Sequence, residues 1–285
     1  MGGDEFTRHP DGSRTRDLVR FRCGGREFRF RQRADVAHGK TEPLRGTFCE
    51  TTTVEIEDVQ PDQLEGVLEA LDAICWLLSF AGQSRVICYG HEFKSCSTGN
   101  FKSVVGIAID FRPPIDIRDG AAVKSFVEQA YPSFCRLGRR RKLAVVFDYL
   151  VQAERPGQPT EIRLLLLFVT MENLKDTYAR DAGIPYAKGF YRKFARNPGK
   201  LGAKFTFEEL LLQMLRSVGM RRGVKQVVAL RNEIIHSGLS RRPHSRQWRM
   251  YERIQDLVRE YLVRLLAYHG VFYTYASQGM APKKV

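Results

Sequence analysis

Leu230–Gly238, with the sequence Leu-Arg-Asn-Glu-Ile-Ile-His-Ser-Gly, combines a helical pattern with side chains that can do chemistry. From Val224 onward the apolar residues recur at helical spacing, and Gly238 is the kind of residue that ends a helix. Arg231 lies within the apolar stripe. A guanidinium that faces a packed seam is costly unless it is paired or has a polar role. We therefore expect a helix that ends near Gly238 and carries either a functional or an ion-paired arginine.

The polar residues of this stretch fall on two different faces of the predicted helix. Asn232 and His236 are four positions apart and share one face. Arg231 and His236 lie about 140° apart on an ideal helix, so one straight helix does not bring them together. Either the last turn distorts near Ser237, or two copies of the helix meet and complete a site between them. The structural alternative is that Arg231 pairs with a neighbouring helix and that His236 interacts with the helix dipole.

Residues 231–236, Arg-Asn-Glu-Ile-Ile-His, resemble the Arg-x4-6-His signature of HEPN domains, including the polar residue after the arginine. The resemblance covers roughly Val123 to His269. HEPN domains are helical bundles that dimerise, and many are metal-independent endoribonucleases. The resemblance implies that His236 performs acid–base catalysis, that Arg231 binds the scissile phosphate, and that Asn232 orients His236 or binds RNA. It also implies a homodimer that places two such sets in one cleft.

The net charge of +14 is concentrated around this motif. Between Lys188 and Arg253 there are 16 Lys or Arg residues and 4 Asp or Glu residues. Phosphate backbones are the commonest partner of such a basic region, so we expect RNA binding. The alternatives are a basic surface that is only solvated and, less favoured, acidic lipids.

The connection from 183 to 204 mixes cations with aromatic residues, a composition that suits single-stranded nucleic acid. Phosphates would contact the Lys and Arg side chains, and bases would stack on the rings. The alternative is a loop whose aromatic residues pack on the helices. Including two arginines after the motif, the predicted RNA-binding residues are Lys188, Tyr191, Arg192, Lys193, Arg196, Arg241 and Arg242.

The pattern along the chain predicts an α+β protein with two domains. Residues 1–118 form a strand-rich domain with one helix, and residues 119–285 form an all-α, HEPN-like helical bundle. In the first domain we expect a hairpin over 18–31 around Gly24-Gly25, a helix over 61–80, and strands over 51–57, 85–93 and 103–111. The general arrangement of this domain resembles the N-terminal regions of larger HEPN-bearing proteins such as ApeA-type phage-defence proteins. We expect it to sense a signal or to dock a protein partner.

In the second domain the apolar periodicity predicts six helices. The segment 164–169 is apolar on every side, which predicts central burial. Pro132 should kink or divide the first helix. The predicted helices cover 123–137, 139–154, 160–180, 205–218, 224–236 and 245–269, followed by a short strand over 271–275.

Several classes of protein are excluded on sequence. The longest apolar run, 164–169, is too short to span a membrane. Because the N-terminal residues are rich in Arg and Asp and include no apolar core region, we expect no secretory signal. We therefore expect a cytoplasmic protein with free thiols. Cys88, His91 and Cys96 lie close together but lack a fourth ligand, so we expect no metal site and no cofactor.

The favoured function is therefore a metal-independent endoribonuclease that cleaves single-stranded RNA, of a defence or toxin type. Its products would carry 2′,3′-cyclic or 3′-phosphate ends and 5′-hydroxyls. The alternative is a non-catalytic HEPN-like subunit that binds RNA or protein within a larger nucleoprotein or defence assembly. Both use the basic region, but only the nuclease requires His236.

Overall fold

The computed structural model of the 285-residue chain describes residues 3–8, 12, 14–34, 36, 49–93, 99–101, 112–194, 202–276 and 282–284. The chain forms two compact units: Met1–Cys135 with Glu154–Pro156 and Leu266–Val285, and Arg136–Ala153 with Gly157–Leu265. We call these the strand-containing unit and the helical unit. The architecture is α+β, as predicted, with an antiparallel sheet followed mainly by helices. These units do not coincide with the predicted domains, 1–118 and 119–285. The predicted domain boundary stays a prediction.

A four-stranded antiparallel sheet opens the strand-containing unit, with its strands in chain order: β1 Glu5–Arg8, β2 Arg14–Cys23, β3 Arg26–Gln32 and β4 Thr52–Glu55. The central hairpin turns at Gly24 and Gly25, which have φ angles of 59° and 78°. Glycine adopts this left-handed region at low cost. The register places Phe21 opposite Phe28, and both rings are buried. The predicted hairpin is confirmed.

Helix α1, Leu64–Gly82, follows the sheet after a short 3-10 turn that begins at Pro61. Its buried residues recur at helical spacing, as predicted. The strand predicted over 85–93 is shorter in the structure: β5 is Gly90–Glu92 and pairs with β6, Gly99–Phe101. The strand predicted over 103–111 lies outside the described residues.

Helix α2, Gly120–Leu137, contains Pro132 without being divided by it. Pro132 is exposed, whereas the opposite face of the helix is buried. Of the two predicted effects of Pro132, division of the segment into two helices is therefore wrong, and a kink stays a prediction. Near the C-terminus, β9, Val271–Tyr273, pairs with β10, Pro282–Lys284, which confirms the short strand predicted after the last helix.

Five helices lie in the described part of the helical unit: α3 Leu143–Ala153, α4 Thr160–Asp181, α5 Phe207–Ser217, α6 Lys225–Ser237 and α7 His244–Leu265. Helix α4 packs against each of the other four and is the centre of the unit. Leu164, Leu167 and Phe168 on α4 are fully buried, but Val169 is 37% exposed. Helix α4 is thus central, as predicted, but the neighbouring helices leave one side of it open at the level of Val169.

The start of α3 differs from the prediction because Arg141 turns into the core. Residues 138–142 form turns, and the helix begins at Leu143 rather than at Arg139. The Arg141 guanidinium is buried and donates to the carbonyl of Leu174 at 3.0 Å and to the hydroxyl of Tyr261 at 2.7 Å. This arginine therefore links α4 to α7 by hydrogen bonds and is not part of the surface charge.

The connection between α4 and α5 contains a short hairpin, β7 Tyr186–Ala187 and β8 Phe190–Tyr191. A bridge between Arg192 and Lys204 continues the pairing. The segment predicted as a loop is thus partly ordered into strands. No helix among the described residues is long and apolar enough to cross a membrane.

Candidate RNA-binding and catalytic site

Helix α6 carries the predicted catalytic residues in its last two turns. Val227, Leu230 and Ile234 are its buried residues, and their spacing of three and four positions places them on one side. The helix ends at Gly238, which has a φ of 71° and whose N–H donates to the Ile234 carbonyl at 2.8 Å. The predicted helix end is confirmed, since glycine adopts the left-handed cap without steric cost.

Arg231 faces helices α4 and α5. Its Nη2 lies 2.5 Å from Oε1 of Glu172, and its guanidinium lies 4.9 Å from the centre of the Phe207 ring. Its Nη1 donates to Oδ1 of Asn232 at 3.0 Å. Lys175 also binds Glu172, at 2.7 Å to Oε2, so two cations share one carboxylate. The ion pair with a neighbouring helix, which was the structural alternative for Arg231, is therefore present.

Asn232 and His236 lie on the exposed side of α6, opposite the buried residues Val227, Leu230 and Ile234. Lys225, Ala229, Asn232 and His236 follow one another at intervals of four, three and four residues. An ideal helix places them within about 60° of one another. All four are exposed, whereas Arg231 is half-buried. The described contacts include none between Arg231 and His236, so a single chain holds the two main residues of the motif on different faces.

Glu233 organises the loop that follows α6. Its Oε1 accepts from the backbone N–H of Arg241 at 2.5 Å and from the Ser240 hydroxyl at 3.0 Å. Its Oε2 accepts from Nε of Arg242 at 3.1 Å. The Arg241 N–H, followed by Ser240 and Arg242, lowers the pKa of Glu233 below its ordinary value. The carboxylate thus holds Arg242, one of the predicted RNA-binding residues, close to α6.

A cleft of about 550 Å³ lies between α6 and α7. Among the residues that the structure describes, no Asp or Glu lines it. Its floor includes Ala229 of the exposed α6 stripe and Met250 of α7. We call it the basic cleft, because five cations contribute to its lining: Lys225, Arg242, Arg246, Arg249 and Arg253.

Most of the cleft cations have no carboxylate partner in the described part of the chain. Within the described residues, Arg242 is the one member of the five that forms an ion pair, with Glu233. Arg253 donates to Oε1 of Gln226 at 3.2 Å, and Arg249 donates to a backbone carbonyl. These are bonds to neutral acceptors. Like charges at such close quarters repel one another, so a bound anion would relieve the repulsion.

Four of the five cleft cations were missed by sequence reasoning. These four were counted in the net charge but were not included among the predicted RNA-binding residues: Lys225, Arg246, Arg249 and Arg253. The signal was readable, because Arg246, Arg249 and Arg253 are spaced three and four apart, which places them along one face of the helix predicted over 245–269.

Tyr191, a predicted RNA-binding residue, lies in the core. Its ring packs with Ala179, Ile184 and Leu210, and 9% of the residue is exposed. Its hydroxyl donates to Oδ1 of Asp176 at 2.5 Å. Burial, followed by the hydrogen bond to Asp176, raises the pKa of Tyr191. The expectation that Tyr191 stacks on a base is corrected, because a ring inside the core has no free face.

The other predicted RNA-binding residues are distributed over different environments. Lys188 is exposed at the turn of the β7–β8 hairpin, and Arg241 is exposed after α6. Arg192 is half-buried and donates through Nε to the Ala187 carbonyl at 3.4 Å. Lys193 forms an ion pair with Glu209 of α5. Arg196, like Cys96 of the rejected metal site, lies outside the described residues.

The exposed rings of this segment are different aromatic residues. Tyr186 is 64% exposed, Phe190 45% and Phe194 71%. Nζ of Lys204 lies 3.8 Å from the centre of the Phe190 ring. The interleaving of cations and aromatic residues thus persists on the surface, although not through Tyr191.

Comparison of the chain with protein-family models, with curated proteins and with solved structures found no match.

Proposed function

We propose that the helical unit binds single-stranded RNA and cleaves it without a metal ion, with His236 as the acid–base residue. The observation that carries this proposal is the continuity of the exposed α6 stripe. At one end of the stripe Lys225 and Ala229 line the basic cleft, and at the other end Asn232 and His236 are open to solvent. A strand held by the cleft would therefore pass along the face that carries the imidazole.

The chemistry that this arrangement suits is attack of a ribose 2′-hydroxyl on the adjacent phosphate. The 2′-oxygen forms a bond to phosphorus while the bond from phosphorus to the 5′-oxygen breaks. A base takes the 2′-hydroxyl proton, and an acid gives a proton to the leaving 5′-oxygen. Histidine titrates near neutral pH and can perform either transfer. The products are a 2′,3′-cyclic phosphate and a 5′-hydroxyl.

One imidazole cannot take and give a proton in the same step, so we propose a homodimer in which each copy contributes His236. Arg231, assigned to the scissile phosphate by the HEPN resemblance, is paired with Glu172. In the proposed mechanism it reaches phosphate after its guanidinium leaves that carboxylate, which Lys175 still neutralises. Asn232, on the same face as His236, orients the imidazole or contacts the strand.

The test is a cleavage assay on labelled single-stranded RNA in excess EDTA. We expect the wild-type protein to cut and His236→Ala to be at least about 100-fold slower, the usual loss when a general acid or base is removed. The matched control is His269→Ala, which removes an exposed histidine outside the helical unit. Circular dichroism checks that all three proteins have the same helical content. Cutting by His236→Ala at the wild-type rate would refute the assignment.

A second function, RNA binding without cleavage, is favoured by one observation. Arg231 already has a carboxylate partner and an aromatic neighbour, so the fold can account for it without a substrate. If wild type and His236→Ala bind RNA equally and neither cuts, the protein is a binding module rather than a nuclease. The defence or toxin role, the cytoplasmic location and the docking of a protein partner by the first domain stay predictions.

A further inference from the structure

The basic cleft brings together four cations that form no ion pair within the described residues and one, Arg242, that pairs with Glu233. Three of its arginines, Arg246, Arg249 and Arg253, come from successive turns at the start of α7. Arg242 lies just before that helix, and Lys225 lies at the start of α6. Lys225, Arg246, Arg249 and Arg253 are exposed, so their charged groups are open to a ligand. Arg242 is held in place by Glu233.

The arrangement of the arginines is linear. On an ideal helix Arg246 and Arg253 are about 10 Å apart along the axis, with Arg249 between them on the same face. A guanidinium matches the oxygens of phosphate through two parallel hydrogen bonds. A row of such groups fits a ligand that carries several phosphates along its length, whereas a single phosphate would engage only part of the row.

We propose that the basic cleft binds consecutive phosphates of an RNA strand and is the main source of RNA affinity in this protein. The proposal deepens the proposed function, because the bound strand would continue along the α6 stripe toward His236. Binding by the cleft does not itself require that His236 cleaves. Free nucleoside triphosphates present the same phosphate chemistry, and the linear row of arginines favours the longer polyanion.

The test measures binding of a labelled single-stranded oligoribonucleotide to the full chain carrying His236→Ala, so that the RNA remains intact. Into this background we introduce Arg246→Gln with Arg249→Gln. The matched control is Arg216→Gln with Arg221→Gln, which removes the same charge from two exposed arginines of the helical unit outside the cleft. Circular dichroism confirms that both proteins remain folded.

We expect the cleft variant to bind roughly tenfold more weakly, because two phosphate contacts are lost. The slope of the logarithm of the association constant against the logarithm of the salt concentration should become shallower by about 0.7 for each lost contact. The control should keep the affinity and the slope of the parent. Unlabelled RNA should displace the labelled strand at far lower concentration than ATP.

Three results would overturn the proposal. The first is an equal loss of affinity in the cleft variant and the control, which would indicate a general charge effect. The second is displacement by ATP as effective as that by RNA, which would indicate a nucleotide site. The third is an absence of RNA binding by the parent. Failure of the proposed nuclease is a separate result, since a wild-type protein that binds RNA without cutting it would leave these binding measurements unchanged.

Discussion

The β7–β8 hairpin, with Arg192 and Lys193, and the basic cleft are both rich in cations but use them differently. In the hairpin region Lys193 is paired with Glu209, and Tyr191 is part of the core. In the cleft, one of the five lining cations has an ion pair within the described residues. From this comparison we expect a cation to contribute to polyanion binding when the fold leaves it without a carboxylate partner. The first region stabilises the unit, and the second is available to a ligand.

The largest expected effect that separates the two regions is on stability. Replacing Tyr191 by Ala removes a core ring and should lower the free energy of unfolding by about 3 kcal/mol. Tyr191→Phe keeps the ring but loses the hydroxyl bond to Asp176, which should cost about 1 kcal/mol. Arg246→Gln with Arg249→Gln should change stability by less than about 0.5 kcal/mol, because these side chains are exposed. Chemical denaturation of the four proteins measures all three differences.

One result for Tyr191→Ala would exchange the roles assigned to the hairpin and the cleft. If Tyr191→Ala unfolds at the wild-type denaturant concentration and instead weakens RNA binding, the hairpin is the binding surface and its ring is accessible in solution.

We expect an intermediate effect on the stability of the fold in acid, because the Lys193–Glu209 pair depends on an ionised carboxylate. The hydrogen bond from Lys193, followed by the backbone N–H of Thr206, lowers the pKa of Glu209 from 4.5 to about 2. A carboxyl group whose pKa is lower in the folded state stabilises the fold above its unfolded pKa. That contribution is lost as the pH falls from about 4.5 through about 2.

Thermal unfolding followed from pH 5 to pH 2 tests this dependence. We expect Glu209→Gln to be less stable than wild type at pH 5 and to lose less stability as the pH falls. Glu208→Gln, in the same first turn of α5, is the control and should follow the wild-type curve. Parallel curves for Glu209→Gln and wild type would show that Glu209 has an ordinary pKa and that Lys193 is free of it.

Local patterns predicted the elements that position the site. The Gly24-Gly25 hairpin and the end of α6 at Gly238 were both correct, because a positive φ at glycine is set by a few neighbouring residues. The shared face of Asn232 and His236 follows in the same way from helical geometry.

Contacts between distant parts of the chain were not predictable from those patterns. The partner of Arg231 is 59 residues away in sequence, and the packing of α4 against α6 decides that they meet. The burial of Tyr191 likewise depends on how the β7–β8 hairpin folds back onto α4 and α5. Sequence gives every cation of a basic segment equal weight, whereas tertiary packing decides which of them acquires a carboxylate.

The smallest expected effect is on RNA affinity when the hairpin ion pair is removed. Lys193→Gln with Glu209→Gln deletes one cation and its carboxylate, so the net charge is unchanged. We expect the dissociation constant to stay within about twofold and the salt dependence to stay the same, because a neutralised lysine releases no counterion from RNA. Arg249→Gln removes one cleft cation that forms no ion pair among the described residues, and it should make the salt slope shallower by about 0.7. A shallower slope in the Lys193 and Glu209 variant would mean that RNA displaces Glu209 and takes Lys193 as a phosphate contact, and the two basic regions would then form one surface.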